Sequence, residues 1–436
     1  MSFRRLRMLR CSMPWGAPDL LAFKAAYFCY FASLSAVHPF LSLLLTERGL
    51  SARLIGTLLL LKPLAGLVGG AAVCGFADQH QCHRAALLVS VIASAVTIQC
   101  LWWTTGEFVH VMLLFLAIGF FSTPISSIVD SLCARCIEDT KSYATYSQIR
   151  LWGAVGWGTF AAVASILVDR MSSWTPAFVI HGFFSVGTLF ACNNLARNAT
   201  FRRDHGGDTQ REHVERPFWD KIKLLKGTQG ALTFIQLCFW FGTTTGAIEG
   251  FLFPFLATMS GASERLYGIS LSVTCVSESL VFWRASEILG WFENGIGVVN
   301  VCFLAFAVRL VAYTTLKIGD LNAWTVLLVE PLHGLTFALT WAWLINEAKN
   351  FGSACHLESF CVAIGTASMF NVGYSVGGFV AGMMFSIAPT LAFIPSLGLL
   401  AVGWFTQGRE YRATTGPRLK TKLSGILNAN VEDDGV

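Results

Sequence analysis

The sequence predicts an all-α membrane protein, with twelve transmembrane helices in two six-helix, pseudo-symmetric bundles. Three observations carry this. Of 436 residues, 54% are hydrophobic and only 13% charged, about half the roughly 25% of charged residues usual in soluble domains. Apolar stretches recur along the whole chain, each close to the 20 or so residues that a helix needs to cross a hydrocarbon core about 30 Å thick. A short motif also appears twice, once in each half.

The stretches begin near Leu20, Leu54, Ala85, Phe108, Ser147, Trp174, Gly230, Leu266, Ile296, Ala323, Leu357 and Thr390. Most connections are short. The exception is 196–229, which carries eight Lys/Arg and five Asp/Glu and separates two sets of six helices. The expected organisation is a basic N-terminus (1–19), a first bundle (20–195), a linker (196–229), a second bundle (230–407) and a tail (408–436). Arg4, Arg5, Arg7 and Arg10 precede an apolar run, Leu20 to Leu45, that is too long for a signal-peptide core and reads as the first membrane helix.

Basic residues orient the chain. With both termini and the linker in the cytoplasm, 23 Lys/Arg fall on the cytoplasmic side and five on the other; Lys24, Lys62 and Arg309 fall within helices. The even number of crossings fits that bias. Nothing in the sequence distinguishes a plasma membrane from an organelle membrane. The net charge of +5 resides in loops, which argues against nucleic acid as a partner. The expected partners are the lipid bilayer, a small-molecule solute and protons, with the chain acting as a monomer.

The repeated motif is Gly49-Leu-Ser-Ala-Arg-Leu-Ile-Gly56 after the first helix and Gly261-Ala-Ser-Glu-Arg-Leu-Tyr-Gly268 after the seventh. Five of eight positions are identical at an offset of 212. Two related six-helix halves with a substrate site at their interface near mid-membrane are a common transporter plan. Small residues four apart, such as Gly66/Gly70, Gly373/Gly377 and Gly378/Gly382, allow close helix approach, either for rocking or for static packing.

A charge at mid-bilayer is expensive and usually faces a cavity or a partner. This sequence keeps His38 in helix 1, Lys62 in helix 2, Asp130 in helix 4, Arg150 in helix 5, Glu249 in helix 7, Glu278 in helix 8, Arg309 in helix 9, and Glu330 with His333 in helix 10. The set reads as the lining of a solute pathway; the alternative is buried structural ion pairs. Glu330 and His333 are three apart and share a helix face. Carboxylate and imidazole together suit proton handling, and Glu249 is a candidate second carboxyl coupled to Glu330. One E-x-x-H copy is too little for a di-iron site, which draws on four helices. The 13 cysteines, Cys133-x-x-Cys136 among them, lack partner ligands nearby. No nucleophile, zinc or phosphate-loop motif is present, so neither an enzyme nor a cofactor is expected.

Several motifs resemble the major facilitator superfamily. Gly75-Phe-Ala-Asp78 with Arg84 resembles its gating-loop signature, although Gln79 stands where a basic residue is usual; the counterpart around Gly290 and Glu293 is degenerate. Arg150-Leu-Trp-Gly153-Ala-Val-Gly156-Trp157 resembles the helix 5 motif of lactose permease-type proton symporters. The resemblance implies substrate hydrogen bonding by Arg150, stacking by Trp157 and an acid at Asp130. Ser277-Glu278, Val308-Arg309-Leu310 and Leu332-His333 follow the same family's proton-coupling helices. It implies that Glu278 links solute to proton, that Arg309 tunes a nearby acid, and that His333 contacts both. Thr336 stands where the family's proton-carrying glutamate is expected. Either Glu330 has taken over the proton or coupling is lost. The set Arg150-Leu-Trp-Gly, Val276-Ser-Glu278 and Glu330-Pro-Leu-His-Gly-Leu-Thr-Phe337 is similar to the "major facilitator superfamily domain-containing protein 6" group. The expected function is proton-coupled symport of a small polar solute, sugar- or nucleoside-like, by alternating access; the alternative is a receptor-like or scaffold protein that keeps the fold without transport.

Overall fold

A computed structural model describes residues 18–140, 146–198, 218–292, 295–355 and 357–407. Among these are twelve helical spans long and apolar enough to cross a membrane: Leu20–Glu47, Ala52–His80, His83–Trp103, Phe108–Cys133, Gln148–Met171, Thr175–Leu195, Ala231–Leu256, Glu264–Trp283, Gly295–Ile318, Ala323–Gly352, Glu358–Phe385 and Pro389–Gln407. They are spans 1 to 12 below. Each begins within about three residues of the start that hydropathy alone gives. Large apolar side chains on their outward faces are exposed, among them Phe183, Phe190 and Leu304. Such a surface is stable against lipid and not against water.

Twelve crossings put residues 20 and 407 on one side, here called the terminal end; the opposite side is the distal end. The repeated motif has the same structural role in both halves. Gly49 (φ 84°) and Gly261 (φ 74°) take the left-handed conformation in the distal turns, which glycine adopts without a Cβ penalty. Two residues on, Ser51 and Ser263 cap the next span, each accepting a hydrogen bond from the amide N–H three residues later (Leu54 and Leu266, both 3.4 Å), as N-cap serines do. The last glycine of each copy then lies at the junction between halves. A Cβ on Gly56 would meet Gly382 Cα at 3.1 Å, and one on Gly268 would clash with Ser165 and the Ala161 carbonyl.

The halves meet chiefly at the distal end. Phe40 of span 1 stacks on Phe253 of span 7 with centroids 5.7 Å apart. Phe40, Leu43 and Ala161 from the first half join the core of the second, while Ala247, Phe251 and Ala381 join a core of the first. Near mid-span, Ser272 Oγ donates to the Gly158 carbonyl (2.7 Å) and Asn371 Nδ2 to the Pro63 carbonyl (2.8 Å). At the terminal end the first half keeps its own core, with Leu20, Phe23, Leu87, Ile149 and Leu195, and among the described residues no second-half side chain enters it. The arrangement is closed at the distal end and parted at the terminal end.

Four spans depart from regular α-helix among the described residues, span 12 only in its opening 3₁₀ turn, Pro389–Leu391. Span 1 breaks into a 3₁₀ turn at His38–Phe40, span 10 opens with 3₁₀ turns and a π segment at Gly334–Leu339, and span 11 has a π segment at Ala367–Gly373. Pro39 and Pro331 supply a reason in two of them, since proline donates no backbone hydrogen bond. Irregular backbone at membrane depth is tolerated where it is buried in protein or lines a cavity. Two features escaped the sequence reading: the segment 196–229 contains a helix, Phe218–Gly227, and Gly75 to Asp78, expected as loop, lie inside the last turns of span 2. Glu293, the linker residues 199–217, and the termini through 17 and from 408 lie outside the described residues.

Candidate functional site

Arg309, Glu330, His333 and Glu278 of the second half form one connected group. Arg309 of span 9 sits at its centre and is almost fully buried. Its Nη2 meets Glu330 Oε2 at 3.3 Å, its Nε donates to Tyr313 Oη at 2.9 Å, and its Nη1 donates to Thr336 Oγ1 at 2.8 Å. Tyr313, one helical turn beyond Arg309, donates to Glu330 Oε1 at 2.9 Å. Glu330 is therefore held through both oxygens and sealed from solvent (1% exposed). A guanidinium suits this role, being a planar fork of donors.

Arg309 Nη1 also donates to His333 Nδ1 at 3.0 Å. Arginine has no acceptor atom, so His333 Nδ1 must be the acceptor and the imidazole carries its proton on Nε2. That nitrogen lies 2.7 Å from Glu278 Oε1, which accepts the bond. The network thus runs Glu330, Arg309, His333, Glu278. Both His333 and Glu278 are 13% exposed, so the end at Glu278 is partly accessible and the end at Glu330 is sealed. His333 also stacks on Phe337, at 5.5 Å and 10°.

Glu249 of span 7 lies beside this network. It is the one exposed residue in the run Phe241–Leu256, all of whose other members are buried. A lipid-facing stripe would also expose residues three and four away, yet Thr245, Gly246, Leu252 and Phe253 are buried. Glu249 therefore faces an internal cavity. Its electrostatic neighbours are His333, Glu278, Arg309, Tyr374 and, from the first half, Lys62. Its acidic neighbour is Glu278 and not Glu330, the pairing that sequence reasoning offered.

The first half contributes two smaller groups. Asp130 of span 4 accepts from Tyr27 Oη (2.6 Å) and from Arg150 Nη1 (3.2 Å); the two charged side chains are each 32% exposed. The Arg150 guanidinium lies 5.3 Å from the Phe31 ring centroid, and Phe31 meets Trp157 edge-on at 6.2 Å. Arg150, Trp157 and Asp130 are thus brought together. Nearer the distal end, Lys62 Nζ donates to His38 Nδ1 at 3.2 Å. At the terminal turn, Asp78 Oδ1 lies 2.6 Å from His83 Nε2, while Arg84 donates to Asn193 Oδ1 at 2.9 Å. Asp78 and Arg84 therefore have different partners. Tyr27, Tyr313 and Tyr374 were missed in the sequence; only Tyr313, four residues after Arg309, carried a positional signal. Among the described residues no group of three His, Cys, Asp or Glu side chains is placed to hold a metal ion.

The MFS_1 like family matches residues 20–394. The chain is 22% identical over 291 residues to "Major facilitator superfamily domain-containing protein 6-like protein A" of Xenopus laevis; the aligned region covers 64% of this chain and 44% of that protein, less than half its length. In fold it is similar to a mutant form of the nucleoside transporter NupG (TM-score 0.75, 16% identity, 90% of this chain and 99% of that one). It is also similar to a bacterial homolog of the human lysosomal transporter Spinster in its inward-facing, unoccupied conformation (TM-score 0.65, 11% identity, 91% and 97%).

Proposed function

The chain belongs to the MFS_1 like family, and from that premise we propose that it is a secondary active transporter, a proton symporter for a small polar solute that works by alternating access. The family and the structural neighbours are transporters and not enzymes. The observation that carries the proposal is the buried charge network, sealed at Glu330 and partly exposed at Glu278, with the exposed Glu249 in its field.

Each residue then has a role. Glu278 takes the proton, because it is the one carboxylate of the relay not locked by a guanidinium. His333 presents its Nε2–H to Glu278 and senses that charge. Arg309 fixes the imidazole tautomer, and Glu330 with Tyr313 and Thr336 holds Arg309 in place. Glu330 is thereby assigned to positioning, and Thr336 accepts from Arg309 where the resemblance led us to expect an acid. Protonation of Glu278 weakens a charge-assisted hydrogen bond and biases the packing of spans 8 and 10. Arg150 and Asp130, beside the Trp157 ring, serve the solute from the first half. With both termini cytoplasmic, as the basic residues imply, the parted terminal end corresponds to an inward-facing state, the state that the Spinster homolog's description names for that protein.

The experiment is a flux measurement on proteoliposomes holding an internal pH dye and diluted into a panel of metabolites. A symporter acidifies the lumen when its solute enters. Binding without acidification for every ligand contradicts proton coupling, and the failure of every panel member to bind favours the receptor-like alternative.

A further inference from the structure

Two hydrogen bonds cross between the halves near mid-depth, and the internal repeat relates them. Ser272 Oγ of span 8 donates to the Gly158 carbonyl of span 5 (2.7 Å), and Asn371 Nδ2 of span 11 donates to the Pro63 carbonyl of span 2 (2.8 Å). Shifting Gly158 and Ser272 by the repeat offset of 212 gives positions 370 and 60, within one and three residues of Asn371 and Pro63. All four residues lie eight to fourteen residues in from the distal ends of their spans. At 1.5 Å per residue that is about 12–21 Å, the middle of a hydrocarbon core about 30 Å thick. We propose that these two bonds fix the axis about which the halves rock, with Ser272 and Asn371 as positioning residues of the transport cycle. This rests on the transporter reading above and assigns its pivot.

Each end of each bond is anchored in its own half. The Pro63 carbonyl belongs to a stretch of span 2 packed directly on span 4, where a Cβ on Gly119 would collide with the Lys62 carbonyl. Asn371 lies in the π segment of span 11, and a Cβ on Gly377 would collide with the Thr243 carbonyl of span 7. Span 5 sits as closely on span 1, Gly156 against the Phe28 carbonyl. Span 8 is tied to span 10 by Ser277 Oγ, which accepts from the Gly334 N–H at 2.9 Å. Both acceptors of the crossing bonds are main-chain carbonyls, which no side-chain rotation can withdraw.

Contacts nearer the distal end are of another kind. They are side chain on side chain, as Phe40 on Phe253, and exist only while that end is closed. When one rigid body turns against another, only points on the axis keep their separation, and two points define a line. A bond on that line is kept in both states, so it holds the halves in register without favouring either state. Ser272 also has a second acceptor, the Gly268 carbonyl of its own helix at 3.2 Å, which lets the hydroxyl tilt during the turn without losing a partner.

The test is spin-label distances in the full chain in lipid nanodiscs, with the labels on an encoded unnatural amino acid so that the native cysteines stay in place. A Gly56→Trp wedge opens the distal end, since even a Cβ there would lie 3.1 Å from Gly382 Cα. Three pairs of exposed positions are read with and without the wedge: Arg53 with Ser386 at the distal end, His80 with Ser359 at the terminal end, and Val155 with Val276 beside the Ser272–Gly158 bond. The distal pair should lengthen and the terminal pair shorten, while the central pair keeps its distance. Ser272→Ala combined with Asn371→Ala should uncouple the ends, so that the distal pair lengthens without the terminal pair closing. Ser272→Thr, which keeps the hydroxyl, should preserve the coupling. If Gly56→Trp does not fold, Gly382→Trp wedges the same seam from the other half. A central pair that lengthens with the distal pair overturns the pivot and leaves the transporter reading intact, as does full coupling in the double alanine variant. No change at any pair under a folded wedge overturns both the pivot and the rocking motion that the transporter reading requires.

Discussion

Replacing Arg309 with methionine is expected to destabilise the protein by about 3–5 kcal/mol, the usual cost of removing one partner of a buried ion pair. The cause is what remains. Glu330 is 1% exposed, and without the guanidinium its carboxylate keeps only the Tyr313 hydroxyl at 2.9 Å. Thr336 and His333 also lose the Nη1 donor they share. Adding Glu330→Gln in the same chain removes the stranded charge and should return most of the loss. The measurement is thermal unfolding of both variants in detergent. A double variant no more stable than Arg309→Met would show that the pair is not the energetic unit described here. Tyr313→Phe should cost less, about 1 kcal/mol, because it leaves the ion pair in place and removes only hydroxyl hydrogen bonds.

Glu278→Gln is the second large effect, and it falls on transport and not on stability. Glutamine keeps an oxygen to accept the His333 Nε2–H now donated at 2.7 Å, so the geometry of span 10 survives. What disappears is a group that gains and loses a proton. The variant should fold, insert and bind solute, while proton-driven accumulation is abolished and binding no longer depends on external pH through this group. Accumulation at the wild-type level would transfer the proton role elsewhere, with Glu249 the first candidate, since it is exposed and lies in the same field.

The spans were legible because a membrane helix has one dominant requirement, a length of apolar sequence set by bilayer thickness. Charges inside those lengths marked the site for the same reason: their cost makes them conspicuous. Pairing was less legible. Arg309 and Glu330 are 21 positions apart on different spans, and no local period connects them. The uncharged members Tyr374 and Tyr27 carry no penalty in lipid large enough to single them out. The π segment at Gly334–Leu339 turns on an interrupted backbone ladder, and only Pro331 hinted at it. The helix Phe218–Gly227 was hidden by the charge-rich composition around it. The repeat gave more than its short length promised: left-handed glycine, capping serine and junction glycine are three backbone requirements, each met by few residue types.

The central claim is that the intramembrane charges face a water-filled space between the halves that opens at the terminal end. The most direct measurement is Glu249→Cys in the full chain, treated with a membrane-impermeant maleimide in sealed vesicles of either orientation and read at position 249 by mass spectrometry. The account predicts labelling from the side that bears the termini, in the absence of detergent. Labelling only after the membrane is dissolved, or only from the distal side, would contradict it.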